Sequence, residues 1–266
     1  MDTKLNQLEN ILRELGSVVV AYSGGTDSTL ILKIAHDTLG DKAIAMTAVS
    51  ASLATADRAE AETIARQIGV RHILVETEET SNPEYLANTP NRCFFCKTET
   101  YDKLVAYAQK HGLTTVVDGT NADDAHDYRP GRQAARDHNV RSPLLEAGLT
   151  KAEIRQLSKA LGLPNWDKPA AACLSSRIPY GTVITLQSLS QVERAEAMLR
   201  GLGLRQLRVR HHDSVARIEI EIADFPRVLE HGQEIVTTLK AIGYTYVTLD
   251  LAGFRSGSMN EAIINK

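Results

Sequence analysis

A chain of 266 residues that is 43% apolar and 24% charged has room for one large domain or two modest ones around a real core. It holds no apolar run of about eighteen residues, so no membrane span is expected, and a net charge of −3 argues against affinity built on neutralising many nucleic-acid phosphates. The start, Met1-Asp2-Thr3-Lys4, has no signal-peptide pattern and the three cysteines are an odd number, so the expectation is a cytoplasmic protein without a disulfide framework.

Leu5, Leu8, Ile11, Leu12 and Leu15 fall on one face at helical spacing and predict an entry helix that Gly16 stops. Residues 17–22 form a short apolar run rich in β-branched side chains, as a buried parallel strand requires. Helices over 28–39, 55–68 and 98–111 then alternate with strands over 43–49, 72–76 and 114–118. The expected class is therefore α/β, a parallel sheet with helices on both faces. Thr150 and Glu153 have capping-box spacing and open a helix to about Leu161, which Pro164 ends. The stretch 165–181 reads as irregular, and the domain boundary is placed there: 1–165 as one domain, 166–266 as a smaller C-terminal α+β domain. Its expected elements are a helix over 186–202, strands over 206–211 and 215–222, a helix over 225–242 and a strand over 244–251.

Ser23-Gly24-Gly25-Thr26-Asp27-Ser28 lies between the first strand and its helix. A turn of small residues there leaves backbone N–H groups aimed at an anion, and the helix N-terminus adds partial positive charge. Gly24 and Gly25 allow close approach, Ser23 and Ser28 supply hydroxyls, and Asp27 is the candidate for a magnesium ion bridging phosphate oxygens. The bland alternative is a tight turn with an Asp cap. No Gly-Lys-Ser/Thr ending follows, which argues against an ordinary P-loop. The hexapeptide resembles the signature of the ATP-pyrophosphatase superfamily, and the resemblance implies ATP split between its α- and β-phosphates with AMP passing to an oxygen.

Cys93-Phe94-Phe95-Cys96 reads as a pair just ahead of a helix, where the dipole favours thiolate. Structural zinc wants four ligands, whereas three cysteines on a [4Fe-4S] cluster leave one iron open to carry a sulfide. Cys173 stands near Lys168 and Arg177, cations that favour its thiolate. An inert or redox-only pair and a buried core cysteine are the plain alternatives. His211 and His212 face opposite ways on a strand, so one metal site using both is not expected, and the histidines read as surface residues.

These residues together resemble the LarE family, sulfur insertases that build the nickel-pincer nucleotide cofactor of lactate racemase. The resemblance covers nearly the whole chain. It rests on Tyr22 to Ser28, on Asp118-Gly119-Thr120-Asn121-Ala122-Asp123-Asp124 followed by Asp127 to Gly131, on Cys173 to Gly181, and on Thr248 to Gly257. It implies an adenine nucleotide alpha hydrolase-like sheet and a C-terminal domain for substrate binding and oligomerisation. It also implies that ATP adenylates a carboxylate of a pyridinium dicarboxylate mononucleotide and that sulfur then displaces AMP, twice over. Cys173 matches the family's sulfur-delivering position. Members with a single cysteine surrender its sulfur, and members with three resemble cluster-carrying enzymes; Cys93, Cys96 and Cys173 put this chain with the second kind. The substrate phosphate calls for Ser176, Arg177, Arg208, Arg210 and Arg255, each arginine alone reading first as a surface residue. Glu196 and Asp250 are acid candidates without an assigned role. The implied partners are the mononucleotide, a sulfide or other sulfur donor, a downstream nickel-inserting enzyme, and further copies of the chain, with a hexamer as one arrangement. Neither nucleic acid nor membrane is expected as a partner.

Three other readings share the loop. A tRNA thiolation enzyme joins it to cysteines, an amide-forming synthetase of the NAD or GMP kind uses ammonia instead of sulfur, and a non-catalytic nucleotide-binding module uses it only to hold.

Overall fold

The structure is a computed structural model that describes residues 2–126, 130–169 and 172–255. The first half runs α1 (Asp2–Leu15), β1 (Val18–Ala21), α2 (Thr26–Leu39), β2 (Ala43–Val49), α3 (Thr55–Ile68), β3 (Arg71–Glu76), α4 (Pro83–Leu86), α5 (Arg92–Lys110) and β4 (Thr115–Val117). Then follow α6 (Pro130–Asp137), α7 (Pro143–Glu146), α8 (Lys151–Ala160), α9 (Leu186–Gly201), β5 (Leu207–His212), β6 (Val215–Ile220), α10 (Phe225–Glu230), α11 (Gly232–Ile242) and β7 (Tyr246–Leu249). No described helix is long and apolar enough to cross a membrane.

The chain divides into two compact units, 1–79 with 91–170, and 80–90 with 171–266. The sequence-based division ran at 165/166 and assigned 80–90 no separate place. In the first unit four parallel strands lie in the order β3-β2-β1-β4. Alternate residues face opposite ways along each strand, and both faces are apolar. Val18, Val20, Ala43 and Ala45 pack with Leu8 and Leu12 of α1, Leu30 and Ile31 of α2, and Ile154 and Leu157 of α8. Val19, Ile44, Met46 and Val116 pack with Tyr101 and Leu104 of α5 and Ala134 of α6. β1, β2 and β4 are thus buried on both faces, which is why the sequence shows continuous apolar runs there, while the edge strand β3 is only half-buried along its middle.

The expected helix over 98–111 begins earlier, at Arg92, so Cys93 and Cys96 lie inside its opening turns rather than ahead of them. Two adjacent phenylalanines are modest helix formers, but Phe94 packs into the core of that face and the packing decides. The reading of one helix over 225–242 is also corrected: the helix breaks at His231, with Gly232 opening the second segment.

In the second unit β5 and β6 form an antiparallel hairpin and β7 adds parallel to β6. Val209, Ile218 and Ile220 pack on Ala195 and Leu199 of α9 and Ile235 and Leu239 of α11. The segment 80–90 is fastened to this unit by Asn88, whose buried side-chain amide donates to the carbonyls of Ile178 (3.2 Å), Pro179 (2.8 Å) and Thr182 (3.0 Å).

At the start of α8 the expected capping box is complete, with Thr150 and Glu153 each bonded to the other's backbone N–H. The Lys4 ammonium lies 2.8 Å from the Glu153 carboxylate, and this bond, with the Thr150 N–H, holds its pKa down from 4.5 to about 2. A depressed carboxylate contributes stability above its unfolded pKa and loses it as pH falls through the folded value. Glu153→Gln is therefore expected to lose less stability than wild type between about pH 4.5 and about pH 2 in urea titrations, having no such charge to lose.

Candidate active site

β1 lies between β2 and β4, and the chain runs outward from β1 through β2 to β3 before returning to β4 on the other side. The crevice where strand order reverses is where open α/β sheets bind ligands. Its two lips are the loop after β1 and the loop after β4, and both rest on glycine. Gly24 has φ +70°, and a Cβ on it would lie 2.8 Å from the Ala61 side chain of α3. A Cβ on Gly119 would lie 2.9 Å from the backbone nitrogen of Ser28.

No side chain caps α2 at Gly25, so its first N–H groups remain for an anion. Ser28 donates to the Gly25 carbonyl (3.1 Å), and its hydroxyl lies 3.1 Å from that of Ser23, which is exposed at the loop's rim. Thr26 turns away: its hydroxyl donates to the Asn165 carbonyl (3.0 Å). The Asn165 amide in turn donates to Gly24 O (3.0 Å) and Thr29 Oγ1 (2.8 Å). Asp27 sits in the first turn, with both carboxylate oxygens 2.6 Å from Lys151 Nζ. Lys168 nearby on the chain from Asn165 pairs with Asp57 (3.0 Å) and Glu60 (2.7 Å) of α3.

On the other lip, Asp118 accepts from Thr120 N (3.1 Å), Thr120 Oγ1 (2.9 Å), Ser142 Oγ (2.8 Å) and Tyr101 OH (3.3 Å). Burial pushes the Tyr101 phenol up to about 12, with Lys97 pulling the other way. Cys93 is exposed and Cys96 half-buried, three apart on one face of the opening turns of α5. Lys97, next in sequence, has its ammonium favoured by Tyr101 first and, against burial, by Cys96, Asp118 and Cys93. Sequence reasoning passed over Lys97 and Lys151; adjacency to Cys96 was the one available signal, and for Lys151 there was none. Among the described residues no three His, Cys, Asp or Glu side chains stand together as a metal site.

The second unit gathers a different group. Cys173 is exposed and precedes a short 3₁₀ turn, Leu174–Arg177. Arg177 is buried, gives Nε and Nη2 to Glu196 (2.7 and 3.0 Å), and gives Nη1 to the Cys173 carbonyl (3.1 Å) and Ser176 Oγ (3.0 Å). Glu196, fully buried, also accepts from Val209 N (3.1 Å) and Arg200 (3.0 Å), so its role is to hold Arg177 beneath Cys173. Arg210 pairs with buried Glu219 (2.8 Å) and donates to the Ser176 carbonyl (2.7 Å). Arg208 lies on the same face of β5, with its guanidinium 4.6 Å from the Phe254 ring centre. Burial, then Arg210 and Arg177, lower its pKa to about 10. Three of the arginines read as surface residues are therefore buried, and Arg255 is half-buried at the end of the described chain. Asp250 lies 3.6 Å from Arg217 and accepts from Ala252 N (2.9 Å). His211 is also buried, 3.2 Å from Tyr244 OH, contrary to its reading as a surface residue. The motif portions at 127–129, 170–171 and 256–257 lie outside the described residues.

Two substitutions test these supports. Glu196→Gln, by breaking a buried pair, is expected to cost about 3–5 kcal/mol in urea denaturation. Gly24→Ala meets both left-handed strain and the Ala61 contact, so a loss of about 2 kcal/mol and weaker ATP binding in calorimetry are expected.

The family model described as asparagine synthase matches residues 7–172, which span the first unit's loop, cysteine pair and Lys151. An uncharacterised protein of Synechocystis sp. is 48% identical over 99% of both chains. A tRNA-specific 2-thiouridylase of Rickettsia rickettsii is 26% identical over 60% of this chain and 54% of its own. The pyridinium-3,5-bisthiocarboxylic acid mononucleotide synthase of Lactiplantibacillus plantarum is 39% identical over 98% of this chain and 95% of its own. With that identity running through both units, and ATP use a property of the matched family, the chain belongs to the LarE family of PP-loop enzymes.

Proposed function

We propose that this protein is an ATP-dependent sulfurtransferase acting on pyridinium-3,5-biscarboxylic acid mononucleotide. The observation that carries the chemistry is the uncapped N-terminus of α2 at the point where strand order reverses. The substrate comes from the similarity to the Lactiplantibacillus plantarum synthase, whose name states its product. A carboxylate oxygen of the substrate attacks the α-phosphorus of ATP, the bond to the β-phosphate oxygen breaks, and pyrophosphate leaves. Carboxylate is a poor electrophile, and the acyl adenylate provides AMP as leaving group for a sulfur nucleophile. One thiocarboxylate forms per ATP, and two rounds give the dithio product.

Ser23, Gly24, Gly25, Thr26, Asp27 and Ser28 hold the departing pyrophosphate, with Thr26 acting through the loop's shape since its hydroxyl serves Asn165. Asp27 would hold a magnesium ion, which supplies charge neutralisation; its carboxylate already draws a cation, Lys151, and so suits one. The substrate phosphate goes to Ser176 and the arginines around it. Arg177 and Arg210 are tied to Glu196 and Glu219, which leaves Arg208, not ion-paired among the described residues, as the principal phosphate ligand, with Arg255 assisting.

Cys93, Cys96 and Cys173 would hold a [4Fe-4S] cluster, which supplies an open iron for a sulfide to be donated. The donors suit it: two thiols stand three positions apart on one face of the opening turns of α5, beside Lys97. The alternative sulfur source is Cys173 itself, and its exposure favours that route. A sulfide source, a nickel-inserting enzyme downstream, self-association and a cytoplasmic location complete the reading. The 2-thiouridylase similarity supports a second reading, tRNA thiolation.

Anaerobic reconstitution with iron and sulfide, followed by thiocarboxylate and pyrophosphate assays, separates these. Multiple turnover lost in Cys93→Ala, Cys96→Ala and Cys173→Ala alike is expected. Full turnover in the first two with loss only in Cys173→Ala overturns the cluster, wild-type product that stops at one sulfur per chain assigns the sulfur to Cys173 itself, and pyrophosphate release stimulated by tRNA instead of the mononucleotide selects the second reading.

A further inference from the structure

Cys173 is exposed, so its sulfur goes where its backbone puts it, and that backbone is held from the C-terminal side. Ser176 N donates to the Cys173 carbonyl (3.0 Å) and Ile178 N to the Ser175 carbonyl (3.2 Å). Arg177 donates to the Cys173 carbonyl (3.1 Å) and Arg210 to the Ser176 carbonyl (2.7 Å). These bonds set the curl of the turn Leu174–Arg177. The Ser175 side chain, fully buried two positions after the cysteine, is held from a distant part of the chain: Tyr85 OH lies 2.5 Å from Ser175 Oγ, and Tyr85 is itself only 1% exposed.

Tyr85 lies on α4, a one-turn helix whose start the sequence fixes. Asn82 caps it by accepting from Glu84 N (2.9 Å), and Pro83 stands at the first position, where its missing N–H is no loss. Beyond the helix the chain is riveted to the segment that follows the Cys173 turn. Gly181 N donates to the Asn88 carbonyl and Ile184 N to the Leu86 carbonyl, each at 3.0 Å, beside the three bonds of the Asn88 amide. Asn88 takes φ +52° there, a left-handed conformation that asparagine tolerates and that the surrounding bonds hold in place. A buried phenol between two such anchors is not free to follow Ser175, so the turn must follow the phenol.

We propose that Tyr85 is a positioning residue for sulfur transfer: through Ser175 it fixes the turn from which Cys173 presents its sulfur. The inference rests on the sulfurtransferase reading and holds whether Cys173 ligates the cluster or gives up its own sulfur. In either route sulfur attacks the acyl carbon of the adenylate, a C–S bond forms, the C–O bond to AMP breaks, and AMP leaves with the electron pair. Pyrophosphate has departed before that step, so its release does not depend on where the sulfur stands. A displacement of the nucleophile by about 1 Å slows attack about a hundredfold. Misplaced sulfur therefore separates the two products in time.

Single-turnover assays on the reconstituted full chain, with enzyme in excess over the mononucleotide, follow pyrophosphate and thiocarboxylate separately. Tyr85→Phe keeps the ring and removes only the hydroxyl. The expected result is pyrophosphate release at the wild-type rate with thiocarboxylate formation slowed about tenfold, as a shift of well under 1 Å would give. A purely structural role would lower the amplitude of both and leave neither rate changed relative to the other. Ser175→Ala is expected to match Tyr85→Phe, and the double variant to be no slower than either, since all three remove one contact. Thiocarboxylate formed at the wild-type rate by Tyr85→Phe, pyrophosphate release slowed as much as transfer, or losses that multiply in the double variant each overturn the proposal. Should Tyr85→Phe not fold, Ser175→Ala decides alone on the same separation of rates. Folded wild type that releases no pyrophosphate with the mononucleotide removes the sulfurtransferase reading itself; wild type that transfers sulfur, with Tyr85→Phe like it, removes only the role of Tyr85.

Discussion

Everything in the first unit depends on how closely backbone approaches backbone at the ends of β1 and β4. A Cβ on Gly24 would lie 2.8 Å from a side chain of α3, and one on Gly119 would lie 2.9 Å from the Ser28 nitrogen in the first turn of α2. No Cβ fits either gap. The strand order brings two loops to one crevice, but it is the missing side chains that let the positive end of a helix form the floor of that crevice. The two-sided core then has a plain purpose: α1, α2 and α8 below the sheet and α5 and α6 above it hold the glycines against neighbours that cannot give way.

The second unit solves a different problem. Arg177, Arg208 and Arg210 are all buried on or beside one small sheet, and such crowding costs desolvation and repulsion. Two of the three are compensated by Glu196 and Glu219, themselves fully buried, and both arginines also bond backbone carbonyls of the turn after Cys173. The ion pairs are thereby structural, fixing the shape of that turn, while Arg208, stacked on Phe254, keeps its charge available. A cluster arranged this way remains cationic without being held together by an anion from outside.

The parallel strands, their helices, the capping box at Thr150 and the loop at Ser23 to Ser28 were legible because each is written in contiguous residues: an apolar run, a period, a spacing. What escaped is of the opposite kind. Arg177 meets Glu196 across nineteen positions, Asp27 meets Lys151 across 124, and Asn88 bonds carbonyls at least 90 positions away. No local pattern encodes such pairs, so surface arginines became buried ones and Lys151 went unremarked. The start of α5 was misread for a related reason, since Phe94 is helical on account of its tertiary packing. The family resemblance took in Ser176 and Arg177, while Glu196 stood only as an acid candidate without a role, and the pairing that gives it one appeared only in three dimensions.

Asn165 ties the chain's exit from the first unit to the phosphate loop: its amide holds Gly24 and Thr29, and its carbonyl receives Thr26. The loop is therefore not a portable hexapeptide. Its curvature is shared with a residue 141 positions from Gly24, at the far end of the same unit. Grafting Ser23 to Ser28 onto another α/β sheet would transfer the sequence while leaving behind one of the struts that shape it, and a shortened chain that keeps the loop must also keep the segment through Lys168.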